Sequence, residues 1–135
     1  MKHLLVPIIL LLVACSSYHR LYEEEKNVLE LISGGNETII IKLDTVVNSK
    51  WSSAIFLEPY SDLSFIEEKN QIDLSCITNS IEHHDSFVII GFLQGDYCAG
   101  FIEIPRTQKI ELLSKVNQEV EPINRKDFTL KFTKP

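Results

Sequence analysis

Three kinds of residue in this chain could do chemistry. The cysteines Cys15, Cys76 and Cys98 carry the strongest nucleophiles. The run Glu82-His83-His84-Asp85 is the only cluster with metal-ligand side chains. Trp51, Tyr60 and Arg106 are the aromatic and guanidinium groups that commonly anchor a ligand. Adjacent histidines on extended backbone point to opposite faces, and no third ligand stands at a recognised spacing. His83, His84 and Asp85 therefore read first as a solvated loop, and second as a weak metal-binding or small-enzyme site. No serine sits in a G-x-S-x-G elbow and no glycine-rich phosphate loop occurs, while Glu67-Glu68 belongs to a charge run on a helix face. The expectation is a protein that is not an enzyme and needs no cofactor or metal. Trp51, Tyr60 and Arg106 make a possible binding pocket where strands end, against the plainer reading of a core tryptophan, a Pro59-Tyr60 turn and a surface arginine.

The chain has 135 residues, 44% of them hydrophobic and 24% charged, which suits one globular domain. Lys plus Arg number 13 against 19 Asp plus Glu, a net charge of -6. That balance lacks the clustered cations of a phosphate-backbone binder, so nucleic acid is not an expected partner. The first residues, Met1-Lys2-His3, carry charge, and Leu4 to Ala14 follow without any. At 1.5 Å per residue this apolar run reaches only about 16 Å, too short to stay as a membrane span. Residues 1–14 read as a signal peptide.

Leu12-Val13-Ala14-Cys15 resembles the lipobox of bacterial lipoproteins. The resemblance implies that Cys15 takes a diacylglycerol, becomes the first mature residue and anchors the protein in a membrane, with palmitate among its acyl chains. Two or three chains give stable anchoring where one does not. Ser16 follows instead of Asp, which in Gram-negative lipoproteins points to the outer membrane facing the periplasm. Residues 15–19 then form the lipidated cysteine and a tether of at most ~15 Å. Removing residues 1–14 leaves 12 bases against 19 acids, a net charge of -7. With Cys15 lipidated, Cys76 and Cys98 form an even pair in an oxidising compartment. A disulfide between them would close a loop of about 23 residues and stabilise the fold by roughly 3 kcal/mol. Two buried free thiols on adjacent strands are the alternative.

Residues 20–135 must position these groups as a single domain. Leu21, Val28, Leu29, Leu31 and Ile32 recur around an acidic face and stop at Gly34-Gly35, which predicts a helix over 20–32. β-Branched runs predict strands at 38–43 and 54–58, the second ended by Pro59, and Ser61 or Asp62 then caps a short helix with Leu63, Phe65 and Ile66. Residues 72–78 alternate like a strand, and 80–85 read as a turn. Gly95-Asp96 predicts a tight hairpin between 87–93 and 97–104, pairing Gln94 with Tyr97, Leu93 with Cys98, Ile89 with Ile102 and Phe87 with Ile104. Both faces of that hairpin are apolar, which places it centrally in a sheet. Phe128, Leu130 and Phe132 alternate as an edge or outer strand, and 108–120 is ambiguous.

Leu43, Trp51, Phe56, Pro59-Tyr60, the strand from Phe87 to Phe92, Ile102-Glu103-Ile104-Pro105-Arg106 and Asp127-Phe128 together resemble a group of small bacterial lipoproteins, over roughly 40–132. In that group an acid follows the tryptophan, where this chain has Ser52, and the group carries no known activity. The expected fold is α+β, a single antiparallel sheet of about five strands packed with an N-terminal helix and a short second helix. The expected function is that of a lipid-anchored, non-catalytic cell-envelope protein binding a protein or envelope component. The alternative is a small envelope enzyme or metal-binding protein using His83, His84 and Asp85.

Overall fold

A computed structural model describes residues 19–34, 37–78, 81–83, 85–114 and 119–134; Cys15, Gly35 and His84 lie outside the described residues. The first element is helix α1, Tyr22–Gly34, which opens on Glu23, Glu24 and Glu25 at the positive end of its dipole and buries Val28 and Ile32. Strand β1, Thr38–Lys42, leads through a 3₁₀ turn at Leu43–Thr45 to β2, Ser53–Leu57. Helix α2, Leu63–Asn70, begins at Asp62, whose carboxylate accepts the Phe65 N–H at 3.1 Å, and ends at Gln71 with φ 56°. A 3₁₀ turn at Ile81–His83 precedes the hairpin of β3, Phe87–Gln94, and β4, Tyr97–Pro105. Then come β5, Lys109–Leu112, the two-residue β6, Ile123–Asn124, a 3₁₀ turn at Arg125–Asp127, and β7, Thr129–Thr133.

These strands do not make the single sheet of about five strands expected from the sequence. Among the described residues two helices accompany two antiparallel sheets, one of three strands in the order β1-β7-β5 and one of four in the order β4-β3-β2-β6, so the chain is mostly β. The reason lies in β7. Its alternation reads as an edge strand, yet it is the middle strand of the smaller sheet, half-buried because one face of that sheet is solvated. Its inner residues Leu130 and Phe132 pack with Ile41, Trp51, Ile90, Phe92, Ile102 and Ile104 between the two sheets, and α1 adds Val28 and Ile32. The other face of the four-stranded sheet presents Ile55, Leu57, Ile89, Leu93 and Phe101 to Ile66 of α2 and to Leu74, Ile77 and Ile81. The larger sheet is thus the middle layer.

The hairpin turns at Gly95-Asp96 with the expected pairs Gln94↔Tyr97 and Leu93↔Cys98, but a bulge then intervenes and Phe92 faces Gly100. The extra residue, Ala99, moves every later pair by one, to Ile89↔Glu103 and Phe87↔Pro105 instead of Ile102 and Ile104. Because side chains alternate, that slip sends Ile102 and Ile104 to the face of Ile90 and Phe92, not that of Ile89. Only β3 of the hairpin is internal; β4 is the edge of its sheet. Residues 72–78 are not a strand. Asp73 makes one bridge to Tyr97, and Ser75-Cys76 then turn.

The β4 edge is closed by other parts of the chain. The Phe101 N–H donates to the His19 carbonyl at 2.8 Å and the Leu21 N–H to Phe101 O at 2.9 Å. The Cys98 N–H donates to Asp73 O at 3.0 Å, and the Glu103 N–H to the buried Glu25 carboxylate at 2.7 Å. Two residues further on the edge ends in Pro105, which has no N–H. Arg20 fastens this arrangement, with one guanidinium nitrogen 3.0 Å from Glu25 Oε2 and 3.1 Å from Glu103 Oε2.

Candidate functional site

Strands β2 and β4 both run antiparallel to the β3 that separates them, so both finish where β3 begins, in the register Leu57↔Ile89 and Phe87↔Pro105. Whatever follows them must gather at one end of the sheet. Glu58-Pro59-Tyr60 follows β2, Arg106 follows β4, and β5 starts close by at Lys109. Together with Phe56, Val88, Gln108 and Ile110 they line a cleft of about 360 Å³.

Local backbone explains how Tyr60 reaches it. The Ser61 N–H returns to Glu58 O at 3.3 Å, closing a turn with Pro59 second and Tyr60 third. Proline presets its own position, and the third residue is left with φ 64°, where glycine or asparagine is usual. Tyr60 holds this conformation while the residue stays 63% exposed. Its N–H is tied to Ile81 O at 2.9 Å.

Ile81, Asp85 and Ser86 brace the cleft. Ile81 is fully buried, Glu82 Oε1 accepts the Leu63 N–H at 3.3 Å, and the Asp85 carbonyl accepts Arg106 Nη1 at 3.2 Å. The Arg106 N–H bonds Ser86 O at 3.0 Å. His83 and Asp85 are exposed, His84 lies outside the described residues, and among those described no three His, Cys, Asp or Glu residues gather in a metal-ligating group.

Charge across the cleft is uneven. Arg106 makes no ion pair with a carboxylate among the described residues, its guanidinium being held only by a backbone oxygen. Lys109 Nζ lies 2.9 Å from Glu111, and this hydrogen bond holds the Glu111 carboxyl below the ordinary carboxylate range. Two cations thus stand at the β5 end of the cleft and Glu58 at its β2 wall.

Of the three residues that the sequence grouped as a pocket, Tyr60 and Arg106 meet here and Trp51 does not. Trp51 is buried, donates Nε1–H to Val47 O at 3.0 Å, meets Phe92 edge-on at 5.0 Å and carries the Arg125 guanidinium 4.7 Å over its ring. Arg125 also donates to the carbonyls of Ser49 and Trp51 at 3.1 and 3.2 Å and pairs with Asp44, so it staples the β1–β2 connection to the β6–β7 turn. Cys76 and Cys98 are joined in a disulfide, with Cα atoms 5.5 Å apart, that ties the α2 side to β4 away from the cleft. Sequence reasoning missed Phe56, Glu58 and Lys109. The Pro59-Tyr60 and Pro105-Arg106 punctuation held part of the signal, since each marks the end of a strand at the same end of the sheet. Comparison with protein-family models, curated proteins and solved structures finds no match to this chain.

Proposed function

We propose that this protein is a lipid-anchored, non-catalytic component of the bacterial cell envelope that binds a protein or another envelope component at the Tyr60–Arg106 cleft. The observation that carries the reading is the guanidinium of Arg106, without a carboxylate partner among the described residues, at a cleft rimmed by an exposed and strained Tyr60. Strain of about 1–3 kcal/mol at a non-glycine left-handed residue persists where the surrounding structure holds it, here through the Tyr60 N–H bond to Ile81 O, and such residues gather at binding sites. The lipobox resemblance at Leu12 to Cys15 supports the anchor, and a tether that ends at His19 on β4 supports a domain held close to its membrane.

A photo-crosslinking residue at Tyr60, in the anchored protein in living cells, tests the reading. It should give one discrete adduct, and the same residue at Glu68, exposed on α2, should give none. The same adduct from both positions, or none from either, would overturn it.

A further inference from the structure

Among the described residues, the edge of the smaller sheet that borders the cleft is unpaired. Leu113 donates to Thr129 O at 3.0 Å, in register with Glu111↔Lys131 and Lys109↔Thr133, so alternate residues of β5 face β7. The peptide groups of Ile110 and Leu112 therefore point away from β7, and among the described residues nothing hydrogen-bonds to them on that side. This differs from β4, where outward groups are taken by His19, Asp73 and Glu25 or removed by Pro105. The other edge of this sheet, β1, also has outward peptide groups without a partner among the described residues, at Ile40, but it lies across β7 from β5 and lines no part of the cleft, so β5 is the unpaired edge beside Arg106.

From this contrast we infer that β5 accepts an added strand: an extended peptide running antiparallel to it, with its free C-terminal carboxylate at Arg106 and Lys109. The direction follows from charge. Arg106, which has no carboxylate partner among the described residues, and Lys109, which shares Glu111, lie just before and at the start of β5, so an antiparallel peptide ends beside them, whereas a parallel one would bring its ammonium group to the Arg106 guanidinium. Backbone hydrogen bonds to Ile110 and Leu112 give affinity, and apolar side chains of the peptide enter the cleft of about 360 Å³ beside Phe56, Val88 and Ile110. The inference rests on the cleft reading above and names the class of partner.

The test uses the mature, detergent-solubilised protein and fluorescein-labelled hexapeptides whose last four positions vary among Val, Ile, Thr, Phe and Leu, made as free acids and as C-terminal amides. The acid pool should bind at least tenfold more tightly than the amide pool. Arg106→Gln should reduce that preference to less than twofold at an unchanged melting temperature. In the best acid peptide, N-methylation of one backbone nitrogen should abolish binding and methylation of its neighbour should change it less than twofold, since only alternate peptide groups face β5. Equal binding of the two pools, or indifference to every N-methyl group, would overturn the inference. Where neither pool binds and the Tyr60 crosslink still forms, strand addition is wrong and the cleft reading stands; where both fail, both fall.

Discussion

Tyr60 shows how one residue can set stability against binding. A left-handed backbone costs a non-glycine residue about 1–2 kcal/mol, and an exposed ring recovers little of that by burial. Glycine relieves the strain but adds about 0.5–1 kcal/mol of unfolded-state entropy. Tyr60→Gly should therefore leave the protein as stable as before or about 0.5 kcal/mol more so, a gain of a few degrees in Tm at most. The same change should reduce adduct formation from a crosslinker placed at Lys109. A drop in Tm of several degrees would show that the ring is a structural group and remove the argument from strain. Trp51 is the opposite case. Its type suggested a ligand anchor as readily as that of Tyr60, and only the Val47 carbonyl, the Phe92 edge and the Arg125 guanidinium assign it to the core. Side-chain chemistry was legible in the sequence at this scale, but exposure was not.

Among the elements, the edge of β4 makes the sharpest structural claim. A Cβ at Gly100 would stand 2.8 Å from Leu21 Cδ2 and 3.0 Å from the His19 carbonyl, so the N-terminal segment lies on β4 only because that position is glycine. Gly100→Ala should destabilise by about 1–3 kcal/mol, and amide exchange at Phe101 should quicken as its bond to His19 is lost. Unchanged exchange at Phe101 would mean that the segment does not seal the edge. The sequence announced such elements unevenly. Helix α1, the Asp62 cap and the Gly95-Asp96 turn are local and were readable, because each depends on neighbours in the chain. The bulge at Ala99 has no local signature, yet it decided which face takes Ile102 and Ile104. The split into two sheets was hidden for a related reason. The run Ile39-Ile40-Ile41 reports strand propensity and burial but not its partner, and the pairing of Ile41 with Leu130 joins residues from opposite ends of the chain. Lys109, in the stretch that read as ambiguous, took its place at the cleft through β5 pairing with β7.

For the whole molecule, the start of the described chain at His19 and the cleft lie apart. His19 is bonded to Phe101 on the outer edge of β4, while the cleft lies past the end of that strand, at Arg106, and reaches across β3 to β2. At about 3.3 Å per residue, the five residues from Phe101 to Arg106 make that roughly 16 Å along the strand. If Cys15 carries acyl chains, three residues, Ser16 to Tyr18, separate it from His19, a reach of at most ~15 Å. The β4 edge and the start of α1 then lie nearest the headgroups, and the cleft farther from them. In vesicles containing quencher-labelled headgroups, a fluorophore at Tyr22 of the lipidated protein should be strongly quenched and one at Tyr60 only weakly. Cys15→Ser should lose labelled palmitate and both signals together, because the thiol that takes the diacylglycerol is gone. Equal quenching at Tyr22 and Tyr60 would show that the tether sets no orientation, whereas wild-type protein that takes up no palmitate would remove the anchor itself and with it the envelope setting of the cleft.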